Sequence, residues 1–186
     1  MRVSSPARYA KTRSIDGHRC CATPDLSSHV PVGLCFDICT ACERIAAVAF
    51  GGEDYAWDLG IDRLDDESNV GYARSTICNA ARAAGVLALD TPFFRFRDDA
   101  ALAESCAASK RIGFKGRFAI HPAQIETIRA CYAPSDAEVA EARRVIDAWE
   151  AAERAGRGST SLDGRVIDVP VVRRARALLA QAEVSG

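Results

Sequence analysis

Apolar and polar positions fall into blocks from about residue 36 onward, and the blocks alternate between two periods. Residues 45–50 (IAAVAF) are wholly apolar, the pattern of a strand buried on both faces of a parallel sheet. The run leads directly into Gly51-Gly52-Glu53-Asp54. Residues 72–84 repeat apolar side chains at helical spacing, and Gly85 supplies a stop. A second apolar run, 86–89, ends at Asp90. Residues 98–112 predict a helix closed by Gly113. Residues 118–120 predict a third short strand ending at His121-Pro122, and 123–131 a further helix. The repeating unit is therefore strand, polar residues at the strand's carboxyl end, then helix, which predicts a parallel sheet.

The pattern changes after residue 134. Ser135-Asp136-Ala137-Glu138 has the Ser-x-x-Glu form of a capping box. Val139, Ala142, Ile146 and Trp149 follow on one helical face, and Gly156 and Gly158 end the helix. Residues 160–162 and 165–167 flank Asp163-Gly164, a strong signal for a two-residue hairpin turn. Pro170 suits the first turn of a last helix carrying Val171, Ala175, Leu178 and Leu179.

The expected fold class is thus α/β. Three strand–helix units are visible, whereas a closed (β/α)₈ barrel needs eight, usually in about 250 residues. The pattern fits a partial TIM barrel, its last three or so units, with a C-terminal helix–hairpin–helix extension. The expected division is an irregular or disordered segment over 1–34, a partial barrel over 35–134 and the extension over 135–186. Polar groups at the carboxyl ends of strands are where such folds place their chemistry, so Asp54, Asp90 and His121 are the first candidates.

Residues 1–30 hold Arg2, Arg8, Lys11, Arg13 and Arg19 against Asp16 and Asp25, with no clear period. A basic, serine-containing leader can be a transit peptide; a disordered tail or a wrongly assigned start is the plainer reading. The whole chain of 186 residues has 24 basic and 25 acidic side chains, a net charge of -1, which argues against a phosphate-neutralising nucleic-acid binder. No apolar run is long enough to cross a bilayer. Eight cysteines in a chain of this length, without a secretory apolar core at its start, predict reduced thiols in a cytoplasm.

Four segments, in one order and spacing, carry a family resemblance: FDICTACERIAAVAFGGEDYAWDLG, YARSTICNAARAAGVLALDTPF, FRDDAALAESCAASKRIGFKGRFAIHPAQI and LDGRVIDVPVVRRARALL. Together they resemble the citrate lyase beta-subunit-like (CitE-like, HpcH/HpaI aldolase) family over about residues 36–184. The resemblance implies a TIM barrel with an extension, homo-oligomers, and Mg²⁺-dependent cleavage of a 3-hydroxyacyl thioester of the malyl- or citramalyl-CoA kind. The products would be an acyl-CoA (or acyl-carrier thioester) and a 2-oxo acid. By motif, Asp54 corresponds to the metal-binding aspartate and Asp168 to the extension aspartate that reaches a neighbouring subunit's site. The family's metal glutamate would precede FDICTAC. Here that stretch reads CATPDLSSHVPVGL, with Asp25 as its only carboxylate, in surroundings unlike the family pattern, and no early strand bearing the oxo-acid arginine is found.

Each candidate has a plainer reading. Mg²⁺ prefers oxygen ligands, which suits Asp54; Glu53 and Asp54 could equally be a solvated turn. Asp168 could protonate a departing enolate or simply cap the helix that opens at Pro170. His121 could be a base or a loop anchor. Asp90 reads better as a loop cap than as a ligand, and Arg74 as an ion-pair or a phosphate-facing residue. Cys35, Cys39 and Cys42 have iron–sulfur spacing, but i, i+4, i+7 also makes an apolar helical stripe. The functional expectations are therefore a Mg²⁺ lyase, a non-catalytic remnant or oligomerisation module of the same family, and, remotely, an iron–sulfur protein. Missing site groups predict little lyase activity and marginal stability for this chain alone.

Overall fold

The computed structural model describes residues 24–185. Contacts divide the chain into two compact units, parted between Tyr132 and Ala133. The first unit is built on a four-stranded parallel sheet of order β1-β2-β3-β4. Its strands are β1 Asp25–Leu26, β2 Ala47–Phe50, β3 Leu87–Asp90 and β4 Gly116–Arg117. The helices between them are α1 His29–Gly33, α2 Cys35–Thr40, α3 Gly52–Leu59, α4 Gly71–Ala84 and α5 Asp99–Ile112, with α6 Gln124–Tyr132 after β4.

Side chains alternate across the sheet as the strand period requires. Val48, Phe50 and Ala88 join Ile38, Ile77, Ala81, Leu102, Cys106 and Phe114 in one buried core. Each fully buried large apolar side chain there contributes about 1.5–3 kcal/mol. α4 meets this core through Ala73, Ile77 and Ala81 and ends at Gly85, whose φ of 73° is left-handed. Leu87, by contrast, is 53% exposed.

Two differences from the sequence expectation matter for the site. Residues 24–34, expected to be irregular, carry β1 and α1; β1 pairs with β2 at Asp25↔Ala49 and Leu26↔Phe50. Residues 1–23, which hold most of the basic leader, lie outside the described residues. The strand expected at 118–120 sits instead at Gly116–Arg117, paired as Leu89↔Gly116 and Asp90↔Arg117. Phe114 takes the buried position and Phe118 and Ile120 are exposed. Gly116 suits the site, since a Cβ there would come within 3.1 Å of the Leu89 side chain.

In the second unit, α7 Asp136–Arg154 opens with the full capping box, Ser135 accepting from the Glu138 amide and Glu138 from the Ser135 amide. β5 Thr160–Leu162 and β6 Arg165–Ile167 form an antiparallel hairpin, and α8 Val169–Ser185 follows. Asp163 and Gly164 both have positive φ, 49° and 76°, as the tight hairpin turn demands. Trp149, Ile167 and Val172 make this unit's small core. Among the described residues no helix is long and apolar enough to cross a membrane.

Candidate functional site

The pairing of β1 with β2 sets one acidic side chain, Asp25, opposite Ala49, and a second, Asp54, follows β2. Asp25 lies in β1, and Asp54 in the first turn of α3, three residues beyond Gly51 at the end of β2. Gly51 permits the approach: a Cβ there would lie 2.7 Å from Ser27 Cβ and 2.8 Å from Asp25 Oδ1. Burial first, and then the charge of Asp54, hold the Asp25 carboxyl above the usual carboxylate range. The sequence reading set Asp25 aside; the pairing of β1 with β2 places it beside Asp54's field. Two hard oxygen donors with mutual repulsion can accept a divalent cation whose remaining positions go to water or substrate. Among the described residues no group of three or more His, Cys, Asp or Glu side chains is placed to hold a metal.

Behind this edge lies a buried ion network that the sequence reading missed in large part. Asp90, at the end of β3, pairs with Arg74 of α4 and with Arg117 Nη2 of β4, the latter at 2.9 Å. Glu67 meets Arg74 Nη1 at 2.9 Å and Arg117 Nη2 at 3.6 Å. All four residues are buried, and their charges sum to zero. Burial pushes the Asp90 carboxyl up, but Arg74 and Arg117 outweigh it and leave the group below the usual range. Ser105 Oγ accepts from Arg117 Nη1 at 2.7 Å. Glu67 has a φ of 57°, an uncommon left-handed conformation for a residue with a Cβ, and its Oε1 is buried without a hydrogen bond. The surrounding arginines hold it there.

At the rim of the network, Arg63 contacts Glu53 Oε1 at 3.0 Å and Glu67 Oε1 at 3.7 Å. Its Nη1 also donates to Thr91 Oγ1 at 3.4 Å, and the Gly52 amide donates to the same oxygen at 3.2 Å. Gln124, fully buried, accepts from the Ile120 and His121 amides and donates to the Phe93 carbonyl at 2.7 Å. It ties the loop after β4 to the loop after β3.

The other sequence candidates make the following contacts. Arg74 is an ion-pair residue, and Asp90 caps the Thr91 amide as well as pairing two arginines. His121 accepts the Ala123 amide on Nδ1 at 3.1 Å and stacks on Phe96, so it anchors its loop. Asp168 Oδ1 accepts the Val171 amide at 3.2 Å, the geometry of an N-cap for α8; the residue is exposed. Cys35 and Cys39 are buried on α2, their sulfurs 4.0 Å apart. Cys42 lies beyond that helix with its sulfur on the Arg44 amide. The hydrogen bond between Cys35 and Cys39 pushes the Cys35 thiol up and the Cys39 thiol down, and Arg44 lowers Cys42, so the shifts do not point one way; the placement of Cys35 and Cys39 in the buried core is what favours the apolar stripe. A recess of about 550 Å³, mainly apolar and lined by Ala142, Val145, Leu162, Ile167 and Val171 among others, belongs wholly to the second unit.

Signals for the missed residues were faint. Arg117 follows a glycine in a strand only two residues long. Glu67 ends an Asp-Asp-Glu run that reads as solvated. Thr91 directly follows the strand-ending Asp90, the position most open to sequence reasoning.

Comparison with known proteins gives a consistent result. Residues 32–122 match the family model HpcH/HpaI aldolase/citrate lyase. Citrate lyase subunit beta of Escherichia coli (strain K12) is 40% identical over 158 residues, covering 84% of this chain and 52% of that protein. The L-malyl-CoA/beta-methylmalyl-CoA lyase of Rhodobacter capsulatus is 31% identical, with 80% and 52% covered. Among solved structures, protein CitE from Mycobacterium tuberculosis in complex with magnesium, acetoacetate and coenzyme A superposes with a TM-score of 0.73. It has 32% identity to this chain, covering 88% of it and 60% of that one. The chain thus spans about half the length of the curated relatives it matches.

Proposed function

Because this chain belongs to the HpcH/HpaI aldolase/citrate lyase family, we propose that it forms part of a Mg²⁺-dependent carbon–carbon lyase. The substrate class is a 3-hydroxyacyl-CoA of the malyl- or citramalyl-CoA type, cleaved to an acyl-CoA and a 2-oxo acid. The four parallel strands are then a portion of a TIM barrel and residues 135–186 its extension. The observation that carries the reading is the placement of Asp25 in β1, opposite Ala49 of β2, near enough to the turn after β2 for the Asp54 charge to act on it.

The donor set fits Mg²⁺: both groups are carboxylates, Gly51 leaves room beside Asp25, and a cation would offset both the burial and the Asp54 charge that raise the Asp25 carboxyl. Asp54 is the principal ligand in this reading, and Asp25 stands in for the glutamate that the stretch before Phe36 lacks. When bound, Mg²⁺ supplies Lewis acidity toward the keto oxygen of the 2-oxo acid. Asp168, exposed at the start of α8, serves as the acid that protonates the thioester enolate carbon in a neighbouring copy. Cytoplasmic homo-oligomers follow from the same reading.

One observation favours a second reading, a non-catalytic module of the family. Among the described residues the sheet has four strands, with β1 and β4 each paired on one side, where a closed barrel has eight. Arg117, which ends β4, is committed to Asp90 and Glu67 rather than open to a substrate carboxylate.

Calorimetry with Mn²⁺ on wild type, Asp54→Asn and Asp25→Asn tests the metal assignment. Weak binding lost in Asp54→Asn and reduced in Asp25→Asn is expected; identical binding in all three would sink it. Assays with malyl-CoA and citramalyl-CoA then separate the two readings. Turnover in the usual range of about 1–10³ s⁻¹ supports the lyase, and metal binding without turnover supports the module.

A further inference from the structure

Resting on the reading of Asp54 as a metal-binding carboxylate, we propose that Thr91 is a positioning residue for the metal turn, acting from the neighbouring strand as the missing cap of α3. The first four amides of a helix have no intrahelical partner; the side chain of the N-cap residue ordinarily satisfies one of them, and the others take partners from outside the helix. The N-cap of α3 is Gly51, which has no side chain to offer. Glycine is imposed there by the closeness of Ser27 and Asp25. The residue whose missing Cβ lets Ser27 and Asp25 lie close is therefore the one that cannot cap the helix carrying Asp54.

Thr91 fills the gap. It follows the last residue of β3, is 1% exposed, and its Oγ1 accepts the amide of Gly52, the first residue of α3. Arg63 Nη1 donates to the same hydroxyl and also holds Glu53, the residue between Gly52 and Asp54. Asp90, next to Thr91 in the chain, is fixed by Arg74 and Arg117 and accepts the Thr91 amide. The turn bearing Asp54 is thus anchored through one hydroxyl to a buried, charge-balanced network. Gly52 completes the fit: a Cβ there would lie 3.1 Å from Thr91 Oγ1 and 3.3 Å from Arg63 Nη1. Groups that orient a ligand without touching the metal typically govern affinity by about 10–100-fold.

The test uses the full chain, Mn²⁺ as the probe, and Thr91→Val, Thr91→Ser and Asp54→Asn, with amide hydrogen exchange at residues 52–55 as a second readout. Thr91→Val keeps the shape and deletes the acceptor; it should weaken Mn²⁺ binding about tenfold and speed exchange of the Gly52 amide. Thr91→Ser should restore both. A purely structural role would lower the melting temperature of Thr91→Val without changing affinity or Gly52 exchange in the folded protein, and that result overturns the proposal. Should Thr91→Val not fold, Thr91→Ala deletes the same oxygen without adding a buried methyl and is held to the same outcomes. If Asp54→Asn abolishes binding while Thr91→Val binds like wild type, this inference fails and the metal reading stands. If Asp54→Asn binds like wild type, the metal reading itself fails, and Thr91 is overturned with it as a metal-positioning residue.

Discussion

Asp90 shows how one side chain can hold several elements at once. Its carboxylate is fully buried between Arg74 and Arg117, and its own Oδ1 accepts the next amide. Replacing it with asparagine keeps the volume but leaves two guanidinium groups facing Glu67 alone. Breaking a buried pair from one side costs about 3–5 kcal/mol, because the remaining charge stays desolvated. Asp90→Asn is therefore expected to lower unfolding free energy by that order in chemical denaturation at pH 7. The pH dependence follows from the sign of the shift. The folded carboxyl lies below its usual range, so its contribution is complete above the unfolded value of about 3.9 and is lost as pH falls through the lower folded value. The gap between wild type and Asp90→Asn should stay constant from pH 7 to 5 and shrink below about pH 4. A gap that widens in acid would contradict the ion-pair account.

At the scale of elements, α8 joins a local signal to a chemical one. Asp168 accepts the Val171 amide, and Pro170 sits in the first helical turn. An N-cap can be aspartate or asparagine, whereas a proton donor must be the acid. Asp168→Asn should leave helix content and melting temperature almost unchanged. Asp168→Ala should lose about 0.5–2 kcal/mol, the usual cost of deleting a cap. In a full-length relative, the asparagine change at the matching position should abolish turnover. Mixing it with a subunit altered at the position matching Asp54 should restore part of the activity if the site is shared between copies. Full activity of the asparagine variant alone would leave Asp168 as a cap and nothing more.

The whole molecule poses a problem of exposed sheet. Among the described residues β1 and β4 each have one unpaired side, and Leu87, Phe118 and Ile120 are 53%, 43% and 49% exposed. Unpaired edges and exposed apolar side chains favour self-association. The 186-residue chain studied alone is expected to bind a hydrophobic dye strongly and to unfold in a broad transition below the about 45–65 °C typical of mesophilic domains. It should also show little turnover with malyl-CoA or citramalyl-CoA. A sharp transition within that range together with usual turnover would show that the four strands suffice.

Much of the fold was legible because its signals are local. The apolar run of β2, the left-handed stop at Gly85, the Ser135 capping box and the Asp163-Gly164 turn are each encoded within a few residues, and each forms where the sequence places it. Asp54 and Asp168 stood out through their motifs for the same reason. What pairs across the sheet was decided elsewhere. Asp25 gained its place from the two-residue strand that aligns it with Ala49. β4 shifted two residues toward the N-terminus, since burying Phe114 and setting Arg117 opposite Asp90 outweighed the apolar run that follows. Asp90 meets Arg117 across 27 positions, and Gly52 meets Thr91 across 39. No periodicity records such separations. A buried charge is stable only where opposite charges converge on it, and that convergence exists only once the strands and helices have packed.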